Sequence, residues 1–245
     1  MSIPLFMKLA SSGGLSEDDR ATLGFRCRRS REVRPRIDLV SEGQQPDCVH
    51  VVLEGFACRY KLVQDGARQI VALLVPGDLY DPSNEAVLGP ADHAVGTLTP
   101  CRIVDIPHGI FGNLTARSPG LKHALHRAGL VEHRVMRTWL TNLGARSAEK
   151  HMAHLFCELL MRLQAVGLAD EDGYAMPLRQ PELGDMLGIT SVHVNRALKK
   201  LRSSELVDLK KRRLTIPEVG RLKNYCGFDP GYLHLSTGRA TANAA

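Results

Sequence analysis

The stretch from Arg179 to Leu206 constrains this chain most, because two short helical patterns are separated there by one glycine. Gly188 suits the left-handed residue that ends a helix, and Thr190 and Ser191 can cap the second helix. Two helices joined by such a turn predict a helix-turn-helix. The apolar faces are Leu183, Met186 and Leu187 in the first helix, and Val194, Ala197, Leu198 and Leu201 in the second.

The second helix also has a polar face, which is basic and carries no acid before Glu205. A recognition helix reads base edges with its first turns and contacts phosphates with basic residues further along. The alternative is a plain helical hairpin with a solvated basic face, but the glycine, the caps and the core spacing all favour the DNA-binding motif. The residues that we predict to contact DNA are Gln180, Ser191, Val192, His193, Asn195, Arg196, Lys199, Lys200, Lys210, Lys211 and Arg212.

The positive charge of the chain is concentrated at this motif. Residues 178–213 contain nine basic and four acidic side chains, a balance of +5 out of a formal net charge of +6. A concentrated basic patch on a helix-turn-helix is an electrostatic footprint for nucleic acid. Double-stranded DNA is therefore the predicted partner.

Composition places the chain among globular proteins, with 44% hydrophobic and 24% charged residues in 245. The N-terminus lacks a basic region followed by an apolar run, and no apolar stretch reaches the length of a membrane span. We therefore expect a cytoplasmic protein that does not enter the membrane. Its six cysteines are scattered without a C-x-x-C pair, as is usual for reduced thiols.

Residues 34–107 alternate apolar and polar side chains in short runs separated by turn signals. Glycines at 43, 55, 66 and 77 recur every 11 or 12 residues, and this spacing predicts an all-β sandwich or barrel. The predicted strands are Cys48–Leu53, Phe56–Leu62, Gln69–Val75 and Cys101–Ile106. Before this region, Ser16 is expected to cap a short helix, with Leu15, Leu23 and Phe25 packing it on the neighbouring β-region.

From Ser118 the pattern becomes helical up to about Asn142, and Pro119 suits the first turn. Such a helix is too long and apolar to lie unpaired, so we expect a homodimer seam with one flank on the barrel. A core helix in a monomer is the alternative. Residues 143–146 are the predicted hinge. The apolar residues of this helix are Leu121, Leu125, Ala128, Val131, Val135, Met136 and Trp139.

Beyond the hinge we predict a helix from Ser147 to about Ala165, a polar loop over 167–173, and the helix-turn-helix. Two strands, Val207–Leu209 and Leu214–Ile216, flank a basic tip and form a hairpin wing. The fold class is α+β: a jelly-roll-like β-roll, a long dimerisation helix and a winged helix-turn-helix. The predicted divisions are a sensor domain over residues 1–117, the helix over 118–143, the DNA-binding domain over 144–235 and a disordered tail over 236–245.

This order of elements resembles the Crp/Fnr family of bacterial transcription regulators. Leu53-Glu54-Gly55, Asp65-Gly66 and Pro76-Gly77-Asp78-Leu79 look like that family's β-roll, and the stretch Glu182 to Arg196 looks like its DNA-binding signature. The resemblance implies a homodimer on a pseudo-palindromic site, activation by reorientation about the hinge, and RNA polymerase as a further partner. It also implies that the β-roll senses a signal.

The resemblance assigns roles to single positions of the second helix. The family's recognition arginine falls on Arg196, which should read a guanine through O6 and N7. A glutamate of several members falls on Val192, which can touch only a thymine methyl, and the arginine of cyclic-AMP-responsive members falls on Ser191. Asn195 is an adenine-reading candidate, and His193 can reach a base or a phosphate. We therefore expect an operator different from that of the cyclic-AMP-responsive members.

The sensor departs from the family's cyclic-nucleotide binders. No arginine or lysine lies between Arg68 and Arg102, and a buried cyclic phosphate without a cation carries a large desolvation cost. Asp92 would add repulsion. A cyclic-nucleotide-responsive regulator is thus the disfavoured alternative. The candidate effector pocket consists of Leu79, Tyr80, Asp81, Ser83, Asn84, Asp92 and His93.

No cofactor is predicted, although haem or a small-molecule effector stays open. Only Cys27 lies near the N-terminus, whereas the family's iron–sulfur clusters need four thiolates. His151, His154 and Cys157 repeat every three residues on one helix, but the histidines are interpreted as solvated rather than metal-binding side chains. A cupin-type metal enzyme needs two histidines and a carboxylate close together, which the β-region lacks. A ligand-binding subunit without a DNA role leaves the basic motif unexplained.

Overall fold

The computed structural model describes residues 3–10, 15–80 and 89–235. Its N-terminal half is a β-roll of two four-stranded antiparallel sheets, with strand orders β1-β8-β3-β6 and β2-β7-β4-β5. The α+β class and the β-roll are therefore confirmed. The strands are β1 (Arg31–Val33), β2 (Asp38–Val40), β3 (Cys48–Glu54), β4 (Ala57–Leu62), β5 (Arg68–Leu74), β6 (Leu79–Tyr80), β7 (Ala94–Thr97) and β8 (Cys101–Pro107).

The two sheets enclose an apolar interior, and the side chains that fill it come from alternate positions of the strands. Val52, Ala57, Leu74, Val95 and Ile103 belong to this interior cluster. The opposite face of β4 and β5 packs against the C-terminal half of the chain. The glycines at the predicted turns, Gly43, Gly55, Gly66 and Gly77, all have positive φ, as a tight turn between strands favours.

Two helices precede the roll, α1 (Pro4–Ala10) and α2 (Glu17–Cys27). Ser16 caps α2 as predicted and forms a capping box with Asp19. The expectation that Phe25 packs inward was wrong, because 47% of this residue is exposed. Its ring instead lies 5.5 Å from the guanidinium carbon of Arg28 and 5.3 Å from that of Arg29, within the range of cation–π contact.

After α3 (His108–Arg117), the chain forms the long helix α4 (Pro119–Ala145), with Ser118 as its cap and Pro119 at the first turn. The helix was predicted, but its end at about Asn142 was placed three residues too early. Gly144 and Ala145 remain helical, and the break lies at Arg146 and Ser147. The extended backbone of Arg146 ends α4, and the Ser147 hydroxyl then accepts a bond from the Lys150 N–H to start the next helix.

The apolar residues that we assigned to a dimer seam mostly pack within their own chain. Leu121 and Leu125 belong to an apolar cluster with residues of the roll. Trp139 is buried and donates its indole N–H to Glu158 at 3.1 Å. These three residues lie on the flank of α4 that packs within its own chain. The exposed stripe of α4 contains Met136 from the predicted set together with Leu130, Leu140 and Leu143.

The C-terminal half consists of five helical segments and a small three-stranded sheet of order β10-β11-β9. Strand β9 was not predicted, since we read Gly173 as the end of a loop. The wing strands begin or end one residue away from the predicted positions. The segments are α5 (Ala148–Gln164), β9 (Gly173–Ala175), α6 (Gln180–Leu187), α7 (Ser191–Ser203), β10 (Asp208–Lys210), β11 (Arg213–Thr215), α8 (Val219–Cys226) and a 3-10 turn (Pro230–Leu233).

Ion pairs connect the β-roll to the C-terminal half. Arg162 of α5 donates to Asp78 in the turn before β6 at 2.7 Å, and Lys8 of α1 binds the same carboxylate. Burial disfavours the charged form of Asp78, but the two cations outweigh this effect and lower its pKa. Arg68 of β5 binds Asp185 of α6 at 2.7 Å. The first helix of the helix-turn-helix thus lies directly on the roll.

In the described ranges, no helix combines the length and apolar character needed to cross a membrane. The predicted tail over 236–245 lies outside those ranges.

Candidate functional site

The helix-turn-helix is held together by the turn between α6 and α7. Gly188 has φ of 66°, a left-handed conformation that glycine adopts without steric cost. A Cβ on Gly184 would lie 2.6 Å from the carbonyl oxygen of Ile189, so the close approach of the turn to α6 also requires glycine. Thr190 caps α7 and accepts from the backbone of His193, as predicted. All seven predicted core residues of the motif are buried.

Glu182 has a local structural role that the sequence did not reveal. It is 3% exposed and accepts a bond from the backbone N–H of Arg179 at 2.6 Å, which closes the N-terminus of α6. It also binds the Arg179 guanidinium at 2.7 Å. The Glu182-Leu183-Gly184 signature therefore positions the first helix of the motif through a capping interaction.

The first two turns of α7 present the predicted base-reading residues to solvent. Ser191, His193, Asn195 and Arg196 are exposed, and 60% of Val192 is accessible. The buried residues of the same helix face α5 and α6. The exposed face therefore does not contribute to the apolar core.

Two of the predicted DNA-contacting side chains of α7 already have partners within the chain. The Nδ1 of His193 lies 2.9 Å from the Thr190 hydroxyl, so this ring is part of the helix cap. Lys200 donates to Glu149 of α5 at 3.0 Å. That exposed ion pair joins α7 to α5 and partly neutralises one of the basic residues of the helix.

The wing places its basic tip in a tight turn. Lys211 and Arg212, between β10 and β11, have φ of 47° and 59°, as in the two-residue turns of β-hairpins. Lys210 pairs with Asp208 at 2.7 Å, so the free basic tip is shorter than predicted. One groove beside α7 gathers four of the predicted residues from three elements, namely Gln180, Asn195, Lys199 and Lys210.

The histidines of α5 are buried, and the interpretation of them as solvated was wrong. His151 is 5% and His154 is 2% exposed. Burial, with a contribution from the charge of Arg146, lowers the pKa of each to about 4. The Nδ1 of His154 lies 3.1 Å from the amide nitrogen of Asn142, and its ring stacks on Tyr232. Both imidazoles are therefore neutral packing groups at pH 7.

The candidate effector pocket is only partly brought together. Leu79 and Tyr80 are buried, and the Tyr80 ring has His93 edge-on at 5.6 Å. The side chain of Asp92 is 80% exposed and lies 2.7 Å from His93 and 3.6 Å from Lys61. It does not line the interior, so our expectation that it repels a ligand there is corrected. Asp81, Ser83 and Asn84 lie outside the described residues.

Sequence reasoning missed a cation inside the β-roll. The sequence analysis considered only the stretch between Arg68 and Arg102, but Arg59 of β4 is 7% exposed and its guanidinium carbon lies 5.2 Å from the centre of the Tyr80 ring. It forms an ion pair with Glu132 of α4. The only sequence signal was an arginine at an inward-facing position of an alternating strand. The argument against anionic ligands that rested on the lack of a cation was therefore incomplete.

Two family models match the chain and together cover both halves. Residues 30–118 match the cyclic nucleotide-binding domain, and residues 151–225 match the Crp-like helix-turn-helix domain.

Known relatives span much of the chain. It is 27% identical over 195 residues to the transcriptional activator protein FnrL of Cereibacter sphaeroides, covering 78% of this chain and 77% of the relative. It is 31% identical over 150 residues to the nitrogen fixation regulation protein FixK of Bradyrhizobium diazoefficiens, covering 61% and 62%. The structure of FixK2 from Bradyrhizobium japonicum shares the fold, with a TM-score of 0.68, 23% identity, and coverage of 80% of this chain and 96% of that one.

Proposed function

Because this chain belongs to the Crp/Fnr family of transcription regulators, we propose that it binds a pseudo-palindromic operator as a homodimer under control of a signal sensed in its β-roll. The observation that carries this proposal is the exposed face of α7. Arg196 and Asn195 stand there on the first turns of a capped helix, and Lys199 lies one turn further along. This arrangement suits base reading followed by phosphate contact in a major groove.

The exposed stripe of α4 supports the homodimer. His133, Met136, Leu140 and Leu143 follow one another at steps of three, four and three residues, as in the seam of a coiled coil. Leu140 is 71% exposed in the single chain. Pairing two copies of α4 along this stripe buries these side chains and sets two α7 helices side by side for the two half-sites.

Control by a signal is supported by the contacts between the roll and the DNA-binding half. Asp78 and Arg68 of the roll bind Arg162 and Asp185. A signal that changes these contacts changes the orientation of α7 about the break at Arg146. We propose that the sensor domain ends before α4, which is capped by Ser118, and that the DNA-binding domain begins beyond the break at Arg146.

The same proposal assigns the chain to regulation rather than catalysis. It acts at DNA in the cytoplasm, with RNA polymerase as the further partner that a transcription regulator engages. The residues proposed to contact the operator are those of α7, the wing tip and Gln180.

The experiment is a mobility-shift assay of the full chain on a random-sequence DNA pool at several salt concentrations. A regulator enriches specific sites, and its affinity falls steeply as salt rises because phosphate contacts release counterions. Binding that enriches no sequence at any salt concentration contradicts sequence-specific regulation. The absence of any shift contradicts DNA binding by the chain in the absence of its signal.

A further inference from the structure

His133 and Met136 are neighbours on the exposed stripe of α4. Both residues are exposed in the single chain, and 43% of Met136 is accessible. Residues three apart lie on the same face of a helix, about 4.5 Å apart along its axis. An imidazole binds metals in its neutral form, and a thioether carries no charge. Each chain thus presents a neutral His-x-x-Met ligand pair on the surface that we assign to the dimer.

A twofold axis along this stripe doubles the ligand pair. Parallel helices that pair symmetrically bring residues at seven-residue spacing next to their own copies. His133 and Leu140 have this spacing, and Met136 lies between them. Ligands three residues apart on facing helices form metal sites in helical bundles. The described part of one chain contains no group of three His, Cys, Asp or Glu side chains that could hold a metal, so this site needs the second copy.

The charges around this pair favour an ion of low charge. Glu132, the nearest acid in the sequence, is directed away from the stripe and binds Arg59. Arg134 and Arg137 are exposed cations next to the two ligands, and they repel a divalent ion more strongly than a monovalent one. Thioether ligands select copper(I), whereas zinc sites use thiolate, imidazole and carboxylate. The ligand types and the charges therefore both indicate a soft monovalent ion.

We propose that the dimer binds one copper(I) ion between its two α4 helices, coordinated by His133 and Met136 of both copies. An ion that binds the dimer but not the single chain stabilises association by mass action. Copper(I) therefore strengthens the seam and favours the form that binds two half-sites. The inference rests on the proposed function in taking this stripe of α4 as the homodimer interface, and it adds a ligand and a stoichiometry of one ion per two chains.

The chain offers two matched controls. His126 is an exposed histidine one seven-residue repeat before His133, but the residue three positions after it is Gly129, which supplies no ligand atom. His126→Gln should therefore leave copper binding intact. Cysteine thiols are the rival soft ligands, and five of the six are buried while Cys48 is partly exposed. Cys48→Ser tests whether a thiol rather than the α4 pair holds the ion.

The test is sedimentation equilibrium of the full chain under anaerobic conditions, with and without copper(I) supplied as its bicinchoninate complex. The measured quantity is the ratio of the dimer dissociation constants without and with copper, which cancels any effect of a substitution on the metal-free seam. This ratio should be at least about tenfold for the unaltered chain, His126→Gln and Cys48→Ser. It should fall to about one for Met136→Leu and for His133→Gln. Bound copper should saturate at one ion per two chains.

A dissociation constant that copper leaves unchanged in the unaltered chain overturns the proposal. An effect that Cys48→Ser abolishes, while Met136→Leu and His133→Gln retain it, assigns the copper to a thiol and overturns it as well. Zinc(II) is titrated in parallel, and an equal effect of zinc contradicts the assignment to a soft monovalent ion. A dimer that ignores copper contradicts only the metal site, whereas a chain that is monomeric in every sample contradicts the proposed seam too.

Discussion

At the scale of single residues, Arg196 and Lys199 lie on the same exposed face of α7 but should contribute differently. Arg196→Ala should weaken binding to the preferred operator by about 1–3 kcal/mol and relax the base preference at one position of each half-site. Lys199→Ala, the control, should weaken binding to all sequences alike and reduce the salt slope by about one. Competition binding against a panel of single-base operator variants separates the two effects. If Arg196→Ala weakens every sequence equally, Arg196 contacts only phosphate.

His154 and His151 make the fold sensitive to acid. The folded state holds each pKa at about 4, below the ordinary value of 6.5. The unfolded chain therefore takes up protons first as pH falls below 6.5, and stability present at neutral pH is lost between pH 6.5 and 4. The loss is of the order of 2–3 kcal/mol per histidine at pH 4.

Urea unfolding at pH 7.5 and at pH 5 measures this loss. His154→Gln should reduce the difference between the two pH values, because its amide does not titrate. His126→Gln, a substitution of an exposed histidine of α4, should leave the difference unchanged. A pH dependence that is the same in all three proteins would refute a role for the buried imidazole.

For single residues, some positions could be predicted from the sequence and others could not. The exposure of Arg196 and the burial of Val194 followed from helical spacing, since both depend on neighbours within two turns. The burial and pairing of Arg59 did not follow from the spacing, because its partner Glu132 is 73 residues away in the chain and belongs to another element. Glu182 was placed in the right motif, but its capping bond depends on backbone geometry that spacing does not give.

At the scale of elements, the turn between α6 and α7 depends on Gly188. Gly188→Ala should cost about 1–2 kcal/mol, because an L-residue is disfavoured in the left-handed conformation, and its Cβ would lie 3.3 Å from a Leu143 methyl carbon. Gly220→Ala in α8 is the matched control. It has open space around its Cβ position and should stabilise by up to about 1 kcal/mol. Thermal unfolding measures both, and equal shifts in the same direction would contradict the argument.

Most helices and strands could be predicted from the sequence, but which of them pack against each other could not. The 3.6-residue period predicted α4 to within a turn, yet the burial of Trp139 depends on Glu158, which lies on α5. Because α4 has apolar residues on more than one side, the sequence does not show which side packs within its own chain. Strand β9 was missed because three residues carry no periodicity, and their pairing with β11 spans about 40 positions.

At the scale of the whole molecule, the exposed stripe of α4 predicts the oligomeric state. Leu140→Glu introduces a charge where the proposed seam is most exposed and should convert a dimer into a monomer. Val63→Glu, on an exposed residue of the roll, is the control and should leave the dimer intact. Sedimentation velocity measures both masses. A dimer that survives Leu140→Glu would assign the interface to another surface.

The most direct test of the central claim is the symmetry of the DNA sites that the full chain selects from a random pool. A dimer with two α7 helices should enrich sites with two inverted half-sites whose centres lie about one helical turn, roughly 10 base pairs, apart. The Leu140→Glu variant should lose this preference and bind single half-sites weakly. Enrichment of asymmetric sites, or of single half-sites by the unaltered chain, would contradict the proposed dimeric reader.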